Sequence, residues 1–368
     1  VTQSGRVVAV DLARGLALAG MMLAHLGPVQ VGDTPPIGEL VTSGRAAPLF
    51  AVLAGVSMTL VQRRDPSGAG SGRATVVRGA LLVLLGLSLG SLRDGPVLII
   101  LAVYGVLVLV ALPLRRLSTR VLLAGTVAWA VLSPIALLAL RIVHEPVLVE
   151  QPSWSDVTDP WRLVTTIVVW GGYPAMVWLT YVLAGLLIGR LDLARAADAA
   201  ALAVGGALAT VGALAVGRLH APDWRALFAR DSYPYESVGW DELWVTGPHS
   251  SMPLNVIGAS GSAALVVGLC AVLARSSVVR RVAAPVCAAG AMTLSLYTIH
   301  VLWTWRLRLD VTAPVEGGWD DWALQVLVLF AAAALYRRYV RRRGPLEDVV
   351  RCSSVTIWTG RRTTPVLD

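Results

Sequence analysis

Two residues inside one apolar stretch carry the strongest chemical signal in this chain. Arg14 and His25 both fall within VVAVDLARGLALAGMMLAHLG, residues 7–27. In lipid a charged or titratable side chain is costly, so it faces a cavity or a partner instead. Eleven helical positions make about three turns, which sets the two on one face roughly 16 Å apart along the axis. Asp11 precedes Arg14 by three residues and can pair with it at helical spacing. An imidazole takes up a proton near neutral pH and can serve as general base toward a hydroxyl or an amine. A charge pair toward one end of the stretch and an imidazole toward the other suit chemistry carried across a bilayer. Two plainer readings stand beside this one. Asp11 and Arg14 could be a buried ion pair that fixes helix packing, and His25 could be satisfied by a backbone carbonyl at the interface.

Other candidates gather at the same side of the apolar segments. His300 lies in SLYTIHVL (295–302), His249 in GPHSSMPLN (247–255) and Arg45 in SGRAAPLF (43–50). With His25, three of the five histidines would approach one membrane surface, where an acceptor from outside arrives. Trp240 and Trp244 could stack on a sugar, although an interfacial aromatic belt explains most of the tryptophans. Asn255, Ser260 and Gln325 read as hydrogen-bond partners between helices. No His-x-x-x-His or similar spacing points to a metal, so none is expected. The three cysteines, Cys270, Cys287 and Cys352, form neither a disulfide framework nor a ligand motif.

The elements that must position these residues follow from composition. The chain has 368 residues, 56% hydrophobic and only 15% charged, with mean hydropathy +0.68. A soluble chain would carry about a quarter charged residues. Apolar runs near the roughly 20 residues that cross a bilayer recur along the whole length. They predict an all-α, polytopic integral membrane bundle of about ten transmembrane helices. The predicted spans are 7–27, 46–62, 76–92, 97–114, 121–142, 172–190, 196–217, 252–274, 282–303 and 321–340.

The net charge of +8 comes entirely from arginine, and its distribution reads as a topology signal rather than as nucleic-acid binding. With the N-terminus inside, Arg6, Arg63, Arg64, Arg73, Arg78, Arg115, Arg116, Arg120, Arg190, Arg195, Arg275, Arg280, Arg281, Arg337, Arg338 and the run Arg341–Arg343 are cytoplasmic. The outer segments hold about half as many arginines, and both termini come out cytoplasmic. Asp33, Glu39, Glu145, Glu150, Asp156, Asp159, Asp223, Asp231, Glu236, Asp241 and Glu242 collect in the outer loops. The first segment reads as a retained helix, since Asp11 and Arg14 interrupt it and no cleavage site follows. DPSGAGSG (65–72) reads as a flexible loop, and WRLVTTIVVWGG (161–172) as an interfacial or re-entrant helix. Gly171–Pro174 reads as a turn opening the sixth span, and GGALATVGALAVG (205–217) as a close-packing face. Residues 1–343 form the transmembrane domain. Residues 344–368 form a cytoplasmic tail with a short surface helix at GPLEDVVR.

The segment VDLARGLALAGMMLAH, with Asp-x-x-Arg-Gly and an Arg-x10-His spacing, resembles membrane acyltransferase family 3. It also resembles the wider group that includes the heparan-alpha-glucosaminide N-acetyltransferases. GGYPAMVWLTYVLAGLLIGRLDL (171–193), SLYTIHVL (295–302) and RGPLE (343–347) are similar to the YeiB-like family, domain of unknown function 418. The resemblance implies transfer of an acyl group from cytoplasmic acetyl-CoA or another acyl-CoA to an envelope glycan or lipid-linked acceptor. The implied setting is a bacterial plasma membrane. His25 would then be the catalytic base, with Arg14 and Asp11 as its cytoplasm-side partners. By their outer positions, rather than by the resemblance, Arg45, His249, His300, Trp240 and Trp244 are candidates for substrate contacts. The heparan enzymes carry an asparagine where His25 stands and a histidine in the following outer loop. Here loop 28–45 has no histidine, so the chain follows the family-3 pattern at that point. A transporter or flippase using the same polar column is the rival reading, and a non-catalytic scaffold is a third. Inverted repeats, the mark of many transporters, are not visible in the sequence.

Overall fold

The computed structural model describes residues 8–28, 42–64, 69–92, 97–144, 151–220, 239–309 and 318–359. Every regular element among the described residues is helical. In chain order the helices are α1 Val8–Leu26, α2 Ala46–Arg64, α3 Ala69–Gly90, α4 Leu101–Leu114, α5 Thr119–Val143, α6 Pro160–Thr165 and α7 Ala175–Ile188. There follow α8 Ala196–His220, α9 Pro253–Leu273, α10 Ser277–Val282, α11 Ala284–Gly290, α12 Thr293–Leu309, α13 Trp319–Tyr339 and α14 Pro345–Thr359.

Seven of these are long and apolar enough to cross a membrane, and the number rises to nine if each of two bent pairs is one span. The apolar helix α4 is shorter, about 21 Å long against a hydrocarbon core of about 30 Å. Large side chains such as Leu208 (68% exposed) and Leu327 (69%) cover the outer faces of α8 and α13. Hydrocarbon accepts such a surface and water does not. The chain is a multi-pass membrane protein.

Helix α1 runs through the middle, against α2, α9, α11, α12 and α13. Its buried stripe includes Ala9, Ala13 and Ala17, small residues that let neighbouring backbones approach. Contact with α11 is closest at Gly290, where a Cβ would collide with the Asp11 carbonyl. Only glycine fits there. The Gly/Ala stretch 205–217 packs against α9 through Gly206 and Gly261, as its composition predicts.

Two expectations about the elements are corrected, and a third gains detail. The span predicted over 282–303 is broken: α11 and α12 are bent by 84° at Ala291–Met292. The backbone groups freed at the start of α12 find a partner in α14, as described below. Residues 161–172, expected as an interfacial or re-entrant helix, are helical over Pro160–Trp170. Helix α6 continues as a π-helical turn, Thr166–Trp170, and the pair meets α7 at 57° across Gly171–Pro174. The stretch 65–72 is helical from Ala69. Several expectations lie outside the described residues: positions 29–41 of the first outer loop, with Asp33 and Glu39; positions 65–68; and positions 145–150, with Glu145 and Glu150. The same holds for 221–238, with Asp223, Trp224, Asp231 and Glu236, and for the tail beyond 359.

Candidate functional site

Three helices meet at His25. Its Nδ1 lies 2.8 Å from His300 Nε2 on α12. The two rings are within 9° of parallel with centroids 5.1 Å apart. With nitrogens this close, that geometry means edge-to-edge rings sharing one plane, so the hydrogen bond runs along the in-plane lone pair. His300 is fully buried, and its Nδ1 lies 2.5 Å from Gln325 Oε1 on α13. Trp322, one turn before Gln325, donates its indole N–H to the Ala19 carbonyl at 3.0 Å. That bond ties α13 to the helix carrying His25.

His25 is on the wall of a cavity of about 310 Å³. Most of the wall is apolar, with Met21, Phe50, Leu82 and Leu101 among its residues. The polar side chains on it are His25, His249, Arg78, Tyr104, Tyr173, Tyr297, Thr42, Ser43 and Thr293. Thr293 is seven residues before His300, so the cavity extends about 10 Å along α12 from the paired imidazoles. Both helix breaks open onto it, through Gly172 and Tyr173 at one and Thr293 and Leu294 at the other. Irregular backbone at membrane depth is tolerated where it lines a cavity or is buried in protein.

His249 reaches the cavity from a strained loop. Its φ is +57° and that of Ser251 is +61°, both in the left-handed region. Such residues cost about 1–3 kcal/mol each and persist when surrounding contacts over-determine them. Here Asn255 Nδ2 donates to the Gly247 carbonyl at 2.8 Å, and Arg141 Nη1 to the Ser250 carbonyl at 3.3 Å. The facing turn carries Gly44 at φ +64°, where a Cβ would stand 2.7 Å from Pro248 Cα. The Tyr173 ring meets His249 edge-on at 5.9 Å.

Arg14 lies off the cavity wall. Its Nη1 is 3.6 Å from the buried Asp11 carboxylate, and its Nη2 donates to Ser57 Oγ at 2.6 Å. Ser57 in turn donates to the Leu53 carbonyl of its own helix. Arg45 borders a separate small cavity of about 20 Å³ with Thr210 and Asn255. Burial there pushes its guanidinium below the usual arginine range. Trp240 and Trp244 are exposed and off the main cavity wall, Trp244 stacked on His220 at 3.9 Å. Of the sequence candidates, then, His25, His249 and His300 come together, while Arg45, Trp240 and Trp244 are elsewhere.

Sequence reasoning passed over several wall residues. Arg78 reads in the sequence as a topology signal, although it falls more than two turns into α3, ahead of an apolar run. Tyr173 reads in the sequence as a helix breaker, and the structure puts it on the wall. Gln325 was read as an interhelical partner, which it is, but nothing in its local sequence names His300. Among the described residues, no group of three or more His, Cys, Asp or Glu could hold a metal ion.

The family described as heparan-alpha-glucosaminide N-acetyltransferase, catalytic, matches residues 6–220, more than half of the chain and all of α1 to α8. The chain belongs to this family. Membership supports an acyltransferase role in general terms, with a co-substrate of the acyl-CoA type. The match is to the broader transmembrane acyltransferase group and does not single out the YeiB-like branch. No curated protein matches the chain.

Proposed function

We propose that this protein moves an acyl group, acetyl being the simplest, from cytoplasmic acyl-CoA to a hydroxyl or amine of an extracytoplasmic glycan or lipid-linked acceptor. His25 is the general base. Ten crossings with both termini cytoplasmic and membership of the YeiB-like branch complete the reading, in a bacterial plasma membrane. The observation that carries it is one ring: His25 stands on the cavity wall with Nδ1 engaged by His300. Its Nε2 is left for chemistry.

In the reaction the acceptor oxygen or nitrogen bonds to the thioester carbonyl carbon while its proton passes to His25 Nε2. Collapse of the tetrahedral adduct breaks the carbon–sulfur bond. The imidazolium then returns the proton to the departing sulfur. The products are the acyl ester or amide and the free CoA thiol, with the histidine regenerated. Arg78 supplies positive charge on the same wall for a polyanionic donor. His249 and Tyr173 would contact the acceptor. Arg14 and Asp11 support the donor side of α1, and Arg45, Trp240 and Trp244 remain candidates for more distant acceptor contacts.

The test is transfer from labelled acetyl-CoA to a panel of envelope sugars by the purified full chain. His25→Ala, shown to be folded by size exclusion and circular dichroism, should lose about 10²–10⁴-fold in rate, the usual worth of a general base. Equal transfer by both proteins overturns the role of His25. A second reading, a small-solute or lipid transporter, is favoured by the two broken helices that border the cavity, a feature of transporter binding sites. Solute uptake in proteoliposomes without any binding of CoA would select it.

A further inference from the structure

We propose that His300 and Gln325 are positioning residues that clamp His25 in a single tautomer, Nδ1 protonated and Nε2 carrying the free lone pair. The proposal rests on His25 being the base. It goes further by assigning a task to the part of the chain beyond residue 220, which the family match does not reach.

The direction of the clamp follows from donor and acceptor inventory. The oxygen of Gln325 has lone pairs and no proton, so His300 must supply the N–H from Nδ1. A neutral imidazole has one N–H, which leaves His300 Nε2 as an acceptor. His25 Nδ1, 2.8 Å from it, must then donate. With its only proton on Nδ1, His25 presents an unprotonated Nε2. Turning one amide around would reverse both imidazoles and put a proton on the nitrogen that has to accept one.

A clamp is needed because free histidine in water prefers the other tautomer, with the proton on Nε2. The surroundings suit the task. His300 is 0% and Gln325 2% exposed, so water does not compete for either bond. The coplanar imidazoles allow no face-to-face slippage without losing the bond. The Trp322 bond to Ala19 fixes α13 within two turns of His25 along α1. The terminal group is a neutral amide, so the clamp orients His25 without adding charge, unlike a carboxylate behind a catalytic histidine.

The test uses the full chain in nanodiscs with 15N-labelled histidine. Only five histidines are present, and replacing His144 and His220 simplifies the spectrum. The expected wild-type result is His25 with protonated Nδ1 and unprotonated Nε2, and a coupling across the bond to His300. Gln325→Met, close in volume but without an acceptor, should mix the tautomers. It should also lower kcat about tenfold to hundredfold, the range seen when the partner that orients a metal-bound histidine is removed, with KM for the acyl donor unchanged. Gln325→Glu restores an acceptor and should recover most of kcat. A wild-type His25 with its proton on Nε2 overturns the clamp, and so does wild-type kcat in Gln325→Met. The spectrum needs no variant of the clamp to fold. If His25→Ala itself transfers at the wild-type rate, the acyl-transfer reading of His25 falls. An inactive His25→Ala beside a fully active Gln325→Met removes the clamp alone.

Discussion

Glu347 holds Ser295 at the cavity end of α12: one carboxylate oxygen accepts the Ser295 hydroxyl at 2.5 Å, and the other accepts the Leu294 backbone N–H at 2.7 Å. The tail helix α14 thus caps the helix that carries His300. Ser295 Oγ also accepts from the Leu346 backbone N–H at 3.0 Å, closing the contact from both sides. A helix that begins at a break inside the bundle needs its first N–H groups satisfied, and an anion suits that position best.

Glu347→Ala should therefore cost about 1–2 kcal/mol of stability, the range for losing a helix cap. Thermal unfolding in detergent measures it. Asp348→Ala serves as the control, since its 3.5 Å bridge to Arg341 is part-exposed and worth about 0–1 kcal/mol. Equal effects of the two substitutions would mean that Glu347 is no cap.

Arg14→Met should destabilise strongly, by about 3 kcal/mol or more, because it strips the buried Asp11 carboxylate of its cation. Asp11→Asn/Arg14→Met should recover most of that loss. In the double variant transfer activity should stay low. Full transfer activity would give the pair a packing role only, and the double-mutant cycle separates the two outcomes.

Arg78→Met should raise KM for acyl-CoA by up to about fivefold, the size of one exposed charged contact of about 1 kcal/mol. The rise should shrink in high salt, where exposed charges are screened, and kcat should change little. A KM independent of both residue and salt would take Arg78 off the donor path.

The long spans were legible because composition reports them directly: α1 begins and ends within one residue of its predicted limits. Arg14 and His25 stood out for the same reason, as polar groups where lipid permits few. The break between Gly290 and Thr293 was not legible. PVCAAGAMTLSLY is apolar and small on both sides of it, and the carboxylate that caps the helix after the break lies some fifty residues downstream. The bond between His300 and Gln325 was equally hidden, since each residue looks like an isolated polar side chain in its own helix. Only the packing of α12 and α13 against α1 turns them into a chain ending at His25. Arg78 was visible but given to topology, because a cytoplasmic arginine is the commoner reason for one near a span.

Two helix breaks, an arginine and two imidazoles on one cavity wall have a consequence between turnovers. Groups of this kind hydrogen-bond to water wherever it reaches them, so under the proposed function each substrate would enter by exchanging places with water. A base bordering a wet cavity does not distinguish a water proton from an acceptor proton by chemistry alone. If acyl transfer runs as proposed, donor without acceptor should then be slowly hydrolysed, at a cost in thioester whenever the acceptor runs short. Economy in this protein depends on how firmly the acceptor, on arrival, drives that water out.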